Sequence, residues 1–236
     1  MKDPYIYPGQ ELVFFDQAVN WKKYFSSYIK PFIGKRVLEV GGGIGSTTRL
    51  LNDGTALQWT ILEPDETMYK TLKKKQETDP GFANCFIRQG TISQLEPSEK
   101  FDTVIYIDVL EHIEDDKQET IRSMDHLLPN GNLVILCPAF NLVFSPFDKA
   151  VGHYRRYTSK TLKAAMPKEL RLIDLRYMDS VGFFASVVNK LFLHQTVPSH
   201  KQIQTWDKLM IPVSKWADKI FFHSFGKSIL GIWRKE

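Results

Sequence analysis

Strand-like and helix-like segments alternate along this chain, and that alternation limits its possible folds more than any other feature. From Lys35 onward, short runs rich in β-branched and aromatic residues are separated by stretches long enough for a helix. This order favours a parallel sheet with helices on both faces, because parallel strands need crossover connections. The predicted strands, in chain order, are RVLEV, QWTILEP, CFIRQG, FDTVIYID, NLVILCPA, LRLIDLRYM and SILGIWRK.

The predicted domain organisation follows from chain length and the position of these segments. A chain of 236 residues can form one mixed α/β domain around a single core. Within that domain, residues 1–34 are expected to be an N-terminal helical cap and residues 35–178 the ligand-binding core. Residues 179–227 are expected to be a helical insertion or lid, and residues 228–236 the last strand.

Two regions outside the predicted sheet are expected to be helical. Residues 179–227 are too long for a bare loop, and apolar residues recur there at helical spacing, although Pro212 interrupts them. These residues are Trp206, Leu209, Met210, Val213, Trp216 and Ile220. Ahead of Lys35, a similar pattern that begins at Leu12 and includes Val19 predicts a helix over the edge of the sheet.

Composition argues against several classes of function. The net charge of +4 is spread along the chain, so no basic face for nucleic acid is expected. Cys85 and Cys137 stand in apolar runs without a zinc or disulfide spacing, so we expect buried, reduced thiols. No apolar run is long enough to span a membrane. The N-terminal segment MKDPYIYPGQ lacks the apolar stretch of a secretory signal, which favours a cytoplasmic location.

The first predicted strand ends in a glycine-rich turn, EVGGGIGSTTRLL, that leads into a predicted helix. Glycine lets the backbone approach a ligand, and the free N–H groups of a helix N-terminus favour a nucleotide-like one. A dinucleotide fingerprint requires G-x-G-x-x-G, but counting from Gly41 or Gly43 places Ser46 or Thr48 where the third glycine belongs. An NAD-dependent oxidoreductase is therefore disfavoured.

The spacing Glu39-Val-Gly41-Gly-Gly43-Ile-Gly45 resembles motif I of class I S-adenosylmethionine-dependent methyltransferases. The resemblance implies that these glycines lie against the methionyl part of the cofactor. It also implies that Glu39 helps to hold the cofactor's ammonium group, often through water, since a carboxylate suits a cation. The fold it implies is α/β and Rossmann-like, with seven mostly parallel strands, helices on both faces and an antiparallel last strand.

Further cofactor contacts are expected at the ends of the next two strands. Glu63 ends QWTILEP, where a carboxylate can accept hydrogen bonds from both ribose hydroxyls, and Pro64 stands beside it. Many relatives carry an acidic residue near Thr91 to bind the adenine amino group. In this sequence the hydroxyl of Thr91, or backbone groups around Ile92, are expected to serve instead.

The segment FDTVIYIDVLEHIEDD resembles the fourth-strand motif of the same family. The resemblance implies that Asp108 and Val109 lie beside the cofactor. Asp108 either positions the cofactor or acts as a base, and the family comparison favours positioning. His112 is expected close to this site, although a histidine at a helix start also serves simply to satisfy backbone groups.

The segment SPFDKAVGHYRRYTSKTL resembles a bacterial branch of the family with a G-H-x-R-R-Y motif. His153 is the predicted general base, because it follows the fifth strand and imidazole titrates near neutrality. The alternative is that His153 only orders its loop. Candidate acceptor contacts are Tyr154, Arg155, Arg156 and Tyr157, with the arginines suited to a carboxylate or phosphate. Surface ion pairing is the alternative for both arginines.

These features predict in-line transfer of a methyl group from S-adenosylmethionine to a small-molecule or lipid-like acceptor. S-adenosylhomocysteine is the expected product, and no metal is expected. Lysines of the predicted insertion suit contact with an anionic membrane surface; they are Lys190, Lys201, Lys208, Lys215 and Lys219. The alternative is a protein that binds S-adenosylmethionine without turnover, and the cofactor residues do not distinguish the two. The sequence predicts no oligomeric state.

Overall fold

The structure is a computed structural model that describes residues 15–193 and 199–236. One sheet of seven strands has the order β3-β2-β1-β4-β5-β7-β6. The strands are β1 (Arg36–Val40), β2 (Gln58–Glu63), β3 (Cys85–Gln89), β4 (Phe101–Ile107), β5 (Leu127–Pro138), β6 (Leu170–Met178) and β7 (Ser228–Lys235). β7 pairs antiparallel with β5 and β6, whereas the pairs among β1 to β5 are parallel. The predicted α/β sheet with an antiparallel last strand is therefore confirmed.

Helices flank both faces of this sheet. The α-helices are α1 (Val19–Ile29), α2 (Thr48–Leu51), α3 (Glu66–Thr78), α4 (Asp116–Asp125), α5 (Pro146–Ala150), α6 (Ser159–Ala164), α7 (Ser180–Val188), α8 (His200–Thr205) and α9 (Ile211–Ile220). Short 3-10 turns are Lys30–Phe32, Pro80–Phe82, Ile92–Gln94, Leu110–His112 and Asn141–Val143, and π-helical turns are Asn189–Leu193 and Trp206–Met210. Within residues 15–193 and 199–236, no helix is long and apolar enough to cross a membrane.

The strand order locates the ligand-binding edge of the sheet. β1 lies between β2 and β4 and is parallel to both. The chain therefore winds outward in opposite directions from β1, and the loops after β1 and β4 diverge at the carboxyl ends of these strands. Open α/β sheets bind their ligands in the crevice that such a divergence creates.

The helices expected within residues 179–227 are present in the described part of that range. Pro212 does not break them, because it lies in the first turn of α9, where a missing N–H costs little. The π-helical turn Trp206–Met210 comes immediately before α9. Pro212 therefore marks an irregular helix junction rather than a helix end.

The N-terminal helix differs from its prediction in position. Leu12, where the predicted pattern begins, lies outside the described residues. α1 covers one face of the sheet rather than its edge, because Phe25 and Ile29 are buried in the same core cluster as Val37 of β1 and Val134 of β5. α1 and the described residues of 179–227 share this core, and together they are called the helical cover below.

A buried aspartate from the far end of the chain caps α1. Ala18 precedes α1 and has no capping side chain, so the first backbone N–H groups of the helix need another acceptor. Asp207 supplies it: Oδ1 accepts from the N–H of Trp21 at 2.8 Å and Oδ2 from that of Asn20 at 3.1 Å. The N-terminal helix and the insertion are therefore joined by direct hydrogen bonds.

A second buried aspartate joins the same two regions. Asp218 of α9 accepts from the Tyr24 hydroxyl at 2.8 Å and from the backbone N–H groups of Asp179 at 2.8 Å and Ser180 at 2.9 Å. The side chain of Asp218 is fully buried. One carboxylate thus holds α1, the start of α7 and α9 together above the sheet.

Candidate active site

A cavity of about 1150 Å³ lies between the carboxyl edge of the sheet and the helical cover. Its wall contains residues of the glycine turn, the ends of β2 and β4, the loop after β5 and the cover, among them Gly43, Glu63, Asp108, His153, Trp21 and Trp206. Small-molecule sites in proteins usually occupy about 300–1,000 Å³. The cavity is therefore large enough for a nucleotide-sized cofactor and a second molecule beside it.

The glycine turn after β1 forms one end of this cavity. Gly41, Gly43 and Gly45 have φ values of +71°, +55° and +79°, a region that side chains strongly disfavour. A Cβ atom on Gly41 would also lie 2.5 Å from Cγ2 of Val109. The G-x-G-x-G spacing therefore coincides with the positions where the backbone requires glycine, and Gly41 and Gly43 line the cavity.

Glu63 is held at the end of β2, next to the glycine turn. Its Oε2 accepts from the N–H of Gly43 at 2.7 Å, and its Oε1 accepts from the N–H of Asp65 at 2.9 Å. Burial raises the pKa of this carboxyl, while the two backbone hydrogen bonds oppose the rise. Glu63 and Pro64 both face the cavity, so the structure places them where a cofactor contact is possible.

Glu39 lies beneath the glycine turn. Its Oε2 accepts hydrogen bonds from the Thr48 hydroxyl and from Nε1 of Trp59, both at 2.7 Å. Burial raises the pKa of Glu39 to about 7, against the effect of these hydrogen bonds. Glu39 is not among the residues that line the cavity. Its predicted contact with the cofactor ammonium, directly or through water, stays a prediction.

The predicted adenine contacts differ in position. Thr91 faces the cavity, as does Val109. The side chain of Ile92, in contrast, is buried in the core on the other face of the sheet. Ile92 is not among the residues that line the cavity, so a contact between its backbone and adenine stays a prediction.

Asp108 directly follows β4 and faces the cavity with a strained backbone. Its φ of +53° is unusual for a residue other than glycine, and such strain is often found at functional sites. The side chain contacts the open cavity but is surrounded by protein. This burial raises the pKa of Asp108 to about 6, although the charges of His153, Lys227 and Arg156 oppose the rise.

The loop after β5 is organised around Asp148, which the sequence analysis did not identify. Asp148 accepts from Nε and Nη2 of Arg156 at 2.7 and 3.0 Å, from Nδ1 of His153 at 2.9 Å and from the N–H of Ser145 at 2.8 Å. Burial opposes ionisation, but these hydrogen bonds outweigh it and hold the pKa of Asp148 well below its usual range. The S-x-x-D spacing of a capping box was the available signal.

Glu111, His112 and His153 meet at the wall of the cavity. Nε2 of His153 lies 3.9 Å from Oε1 of Glu111, and the rings of His112 and His153 pack edge to face with centroids 4.5 Å apart. Burial, aided by His153, lowers the pKa of His112 to about 4, so His112 is neutral at neutral pH. Burial and the charge of Asp108 raise the pKa of Glu111. Sequence reasoning had not singled out Glu111.

Two of the four predicted acceptor contacts require correction. Arg155 pairs through Nη1 with Oδ2 of Asp116 at 2.8 Å, and the Tyr157 hydroxyl donates to the same oxygen at 2.8 Å. Neither residue lines the cavity, because both anchor the loop to α4. Tyr154 and Arg156 do line it, and Arg156 is a buried partner of Asp148 rather than a surface ion pair.

Comparison with known proteins agrees with this architecture. Residues 38–134 match a family model described as a methyltransferase domain, and this range contains the glycine turn, Glu63 and Asp108. No protein of curated function matches the chain. The fold and the cavity thus define a Rossmann-like α/β protein with a candidate ligand site at the carboxyl edge of its sheet, and the range that matches the family model includes β1, β2 and β4 at that edge.

Solved structures share the fold at low sequence identity. The [4+2]-cyclase SpnF has a TM-score of 0.62 and 16% identity, over 89% of this chain and 80% of that chain. The N-methyltransferase NodS from Bradyrhizobium japonicum WM9, solved with S-adenosyl-L-homocysteine, has a TM-score of 0.56 and 13% identity, over 93% of this chain and 87% of that chain. Identities this low establish the fold alone, since one fold supports different reactions.

Proposed function

We propose that this chain is an S-adenosylmethionine-dependent methyltransferase that acts on a small-molecule or lipid-like acceptor. The observation that carries the proposal is the direct hydrogen bond between Glu63 and the glycine turn at the cavity wall. It joins the two sequence elements implied in cofactor binding within the range that matches a methyltransferase domain. In the proposal the cofactor occupies this end of the cavity and the acceptor occupies the end near His153.

The proposed reaction requires no covalent bond between the protein and either reactant. A nucleophilic atom of the acceptor attacks the methyl carbon in line with the departing sulfur, the carbon–sulfur bond breaks, and its electron pair stays on sulfur in S-adenosylhomocysteine. The protein aligns the two reactants and provides a path for any acceptor proton. His153 is the predicted proton acceptor, because the Nδ1 bond to Asp148 turns Nε2 towards Glu111 at the cavity wall.

Calorimetric titration of S-adenosylmethionine, S-adenosylhomocysteine and NAD into the purified chain tests the cofactor assignment. We expect both sulfur nucleotides to bind and NAD not to bind. Glu63→Ala removes a charged hydrogen-bond acceptor worth about 1.5–3 kcal/mol, so affinity should fall roughly 10- to 100-fold. Glu66→Ala is the matched control, because Glu66 is exposed and pairs with Lys70 on the surface of α3. A folded protein that binds neither sulfur nucleotide would overturn the proposal.

A second candidate is a protein that binds the cofactor without transferring its methyl group. The hydrogen bond between Glu63 and the glycine turn supports cofactor binding in both candidates. Calorimetry does not separate the two candidates, because both bind S-adenosylmethionine. Incubation with methyl-labelled cofactor and a panel of hydroxyl, amine and lipid-like acceptors does, since only the enzyme transfers the label.

The outer face of the helical cover supports a lipid-like acceptor. Along the π-helical turn and α9, Leu209, Val213, Trp216 and Ile220 are exposed, whereas Ser214 and Asp218 are buried. Apolar side chains are therefore exposed on the outer side of this stretch, whereas Ile211 and Trp206 on its inner side are buried. Trp216 is 74% exposed and Phe222 is 89% exposed. Such a face fits a membrane surface better than water.

Lysines accompany this apolar face. Lys208 and Lys219 are exposed, and Lys215 lies half-buried over the ring of Tyr24. Basic side chains beside exposed aromatic rings favour an anionic lipid surface. The cover also contributes Trp206 and Met210 to the cavity wall. In the proposal, membrane contact brings the open side of the cavity close to an acceptor held in the lipid.

Flotation with vesicles of phosphatidylcholine and phosphatidylglycerol tests the membrane contact. We expect the chain to float with anionic vesicles and the double variant Trp216→Ala, Phe222→Ala to float several-fold less. Leu57→Ala is the matched control, because Leu57 is 75% exposed but precedes β2, away from the cover. A chain that stays entirely in the soluble fraction would rule out membrane contact and leave the cofactor proposal intact.

A further inference from the structure

Glu111 is a buried carboxylate without the partners that such a group needs. It is fully buried, and neither carboxylate oxygen has a hydrogen-bond partner among the residues that the structure describes. A buried carboxylate in this state is costly unless it is paired with a cation or bound to a metal. Glu111 belongs to the cavity wall beside the partly exposed His153, so a group in the cavity would reach its oxygens after a shift of neighbouring side chains.

His153 is oriented as metal-binding histidines are. Asp148 accepts a hydrogen bond from Nδ1 of His153 at 2.9 Å, so Nε2 is the nitrogen that points to the cluster. Nε2 lies 3.9 Å from Oε1 of Glu111. A carboxylate that holds the second nitrogen of a metal-bound histidine is a recurrent arrangement in proteins. Arg156 in turn holds Asp148 with two hydrogen bonds.

His112 completes a set of three donors. One ligand atom each from Glu111, His112 and His153 lie within 4.8 Å of one another. Metal–ligand bonds of about 2.0–2.2 Å bring the ligand atoms of a tetrahedral site to about 3.5 Å apart, so the side chains must close by about 1–1.5 Å. Small side-chain rotations provide a movement of that size.

We propose that Glu111, His112 and His153 bind a divalent transition-metal ion, Zn²⁺ or a close relative, at the wall of the cavity. Two imidazoles and one carboxylate are donors that such ions prefer, whereas Mg²⁺ and Ca²⁺ prefer oxygen donors alone. Three protein ligands leave at least one coordination position open towards the cavity. No metal was expected from the sequence, because the two cysteines lack the spacing of a zinc site. The three ligands proposed here come instead from two separate loops, after β4 and after β5.

A metal ion at the cavity wall favours an acceptor with a hydroxyl group. This inference rests on the proposed methyltransferase function. A hydroxyl group bound at the open position loses its proton more easily, because the ion stabilises the resulting oxyanion. The oxyanion attacks the methyl carbon, the carbon–sulfur bond breaks, and the products are a methyl ether, S-adenosylhomocysteine and one proton released to solvent. Nε2 of His153 is then occupied by the ion, so the ion replaces His153 as the group that activates the acceptor.

Calorimetric titration of Zn²⁺ alone into the metal-free full chain tests the site directly. We expect one ion per chain to bind, and Glu111→Gln and His153→Gln each to weaken binding on the order of 100-fold. His223→Gln is the matched control, because His223 bonds to the backbone oxygen of Tyr177 and lies outside the cluster. Substitution with Co²⁺ should produce visible absorption bands that disappear in Glu111→Gln.

Asp148→Asn tests the positioning role of the second carboxylate. Residues that hold metal ligands typically change metal affinity about 10- to 100-fold when they are replaced. We expect an intermediate loss of Zn²⁺ affinity, and circular dichroism confirms that each variant is folded. No binding of Zn²⁺ or Co²⁺ by the unmodified chain, or unchanged affinity in both Glu111→Gln and His153→Gln, would overturn the metal site.

Separate measurements can overturn the metal site and the methyltransferase proposal. Titration of S-adenosylhomocysteine into chelator-treated protein reports on the cofactor site without the ion. Cofactor binding without Zn²⁺ binding would overturn only the metal site. Zn²⁺ binding that is lost in Glu111→Gln, without any cofactor binding, would leave the metal site standing and overturn the methyltransferase assignment.

Discussion

The polar contacts of the ligand-binding core join residues close in sequence, whereas those of the helical cover join residues far apart in sequence. In the core, Glu63 bonds to Gly43, 20 positions away, and to Asp65, 2 positions away. In the cover, Asp207 bonds to Trp21 across 186 positions, and Asp218 bonds to Tyr24 across 194. The core can therefore organise its cofactor residues locally, whereas the cover and the enclosed cavity exist only once both ends of the chain have come together.

Asp218→Ala gives the largest expected effect and tests the cover. The change leaves three buried donors without their acceptor: the Tyr24 hydroxyl and the N–H groups of Asp179 and Ser180. At about 1–3 kcal/mol for each unsatisfied group, the free energy of unfolding should fall by at least about 3 kcal/mol. Urea denaturation followed by circular dichroism measures the loss.

Asp53→Ala is the control for Asp218→Ala. Asp53 is exposed, accepts from the N–H and the hydroxyl of Thr55, 2 positions away, and forms an exposed ion pair with Lys30 at 3.8 Å. We expect a loss below about 1 kcal/mol, because surface polar contacts contribute little. Equal losses for the two aspartates would mean that long-range contacts do not distinguish the cover from the core.

Glu39→Gln tests the core through pH. The pKa of Glu39 is raised to about 7 in the folded chain, chiefly by burial, whereas an unfolded glutamate has a pKa near 4.3. The folded state therefore holds a proton that the unfolded state releases, so stability falls as the pH rises from about 4.5 to about 7. Glu39→Gln should remove this slope and raise stability at pH 8 by about 3–4 kcal/mol relative to the unmodified chain.

Thermal denaturation of both proteins between pH 5 and pH 8 measures this difference. A glutamine oxygen can still accept from Thr48 and Trp59, so the local hydrogen bonds are retained. The same pH dependence in both proteins would show that Glu39 is not the group that titrates.

Gly41→Ala and Gly54→Ala form the pair with the smallest expected effect. Both glycines have positive φ, +71° and +86°, so alanine costs about 1–2 kcal/mol of backbone strain at each. A Cβ atom on Gly41 would meet Val109 at 2.5 Å, whereas one on Gly54 would meet nothing within 4 Å. We expect similar losses of stability from strain, with an added loss in Gly41→Ala from displacement of Val109.

The two glycine variants should also differ in their affinity for S-adenosylhomocysteine. Gly41 and Val109 both line the cavity, so calorimetry should record an affinity reduced about tenfold or more in Gly41→Ala, a difference of about 1.4 kcal/mol. Gly54→Ala should bind normally. Reduced affinity in both variants would mean that the glycine turn responds to strain elsewhere in the core rather than to its own geometry.

The sheet could be predicted because the information for it is local. Each strand shows its own run of β-branched and aromatic residues, and Gly41, Gly43 and Gly45 of the turn occupy positions where φ is positive. The end of β2 likewise places Glu63 beside that turn, since parallel neighbours β1 and β2 bring their carboxyl ends together. These features can be predicted once the secondary structure and the strand order are known.

The far side of the cavity could be predicted only in part. His153 and Arg156 were identified from the G-H-x-R-R-Y segment, and both line the cavity. Asp148, which holds both of them, was missed, and so was Glu111. Arg155 and Tyr157 stand in the same short segment but bond to Asp116. The elements packed against an irregular loop determine which of its side chains point inward. Such a loop has no periodic sequence pattern from which this orientation can be predicted.

The amino-acid sequence alone thus specified the α/β sheet, the glycine turn with its acidic neighbour and the helical character of the region after β6. The packed chain specified the rest: the capping of α1 by Asp207, the exposure of apolar side chains on α9 and the meeting of Glu111 with two histidines. The physical reason is the range of the interactions. Backbone conformation and hydrophobic periodicity act over a few residues, whereas a buried carboxylate takes whichever donors tertiary packing brings to it.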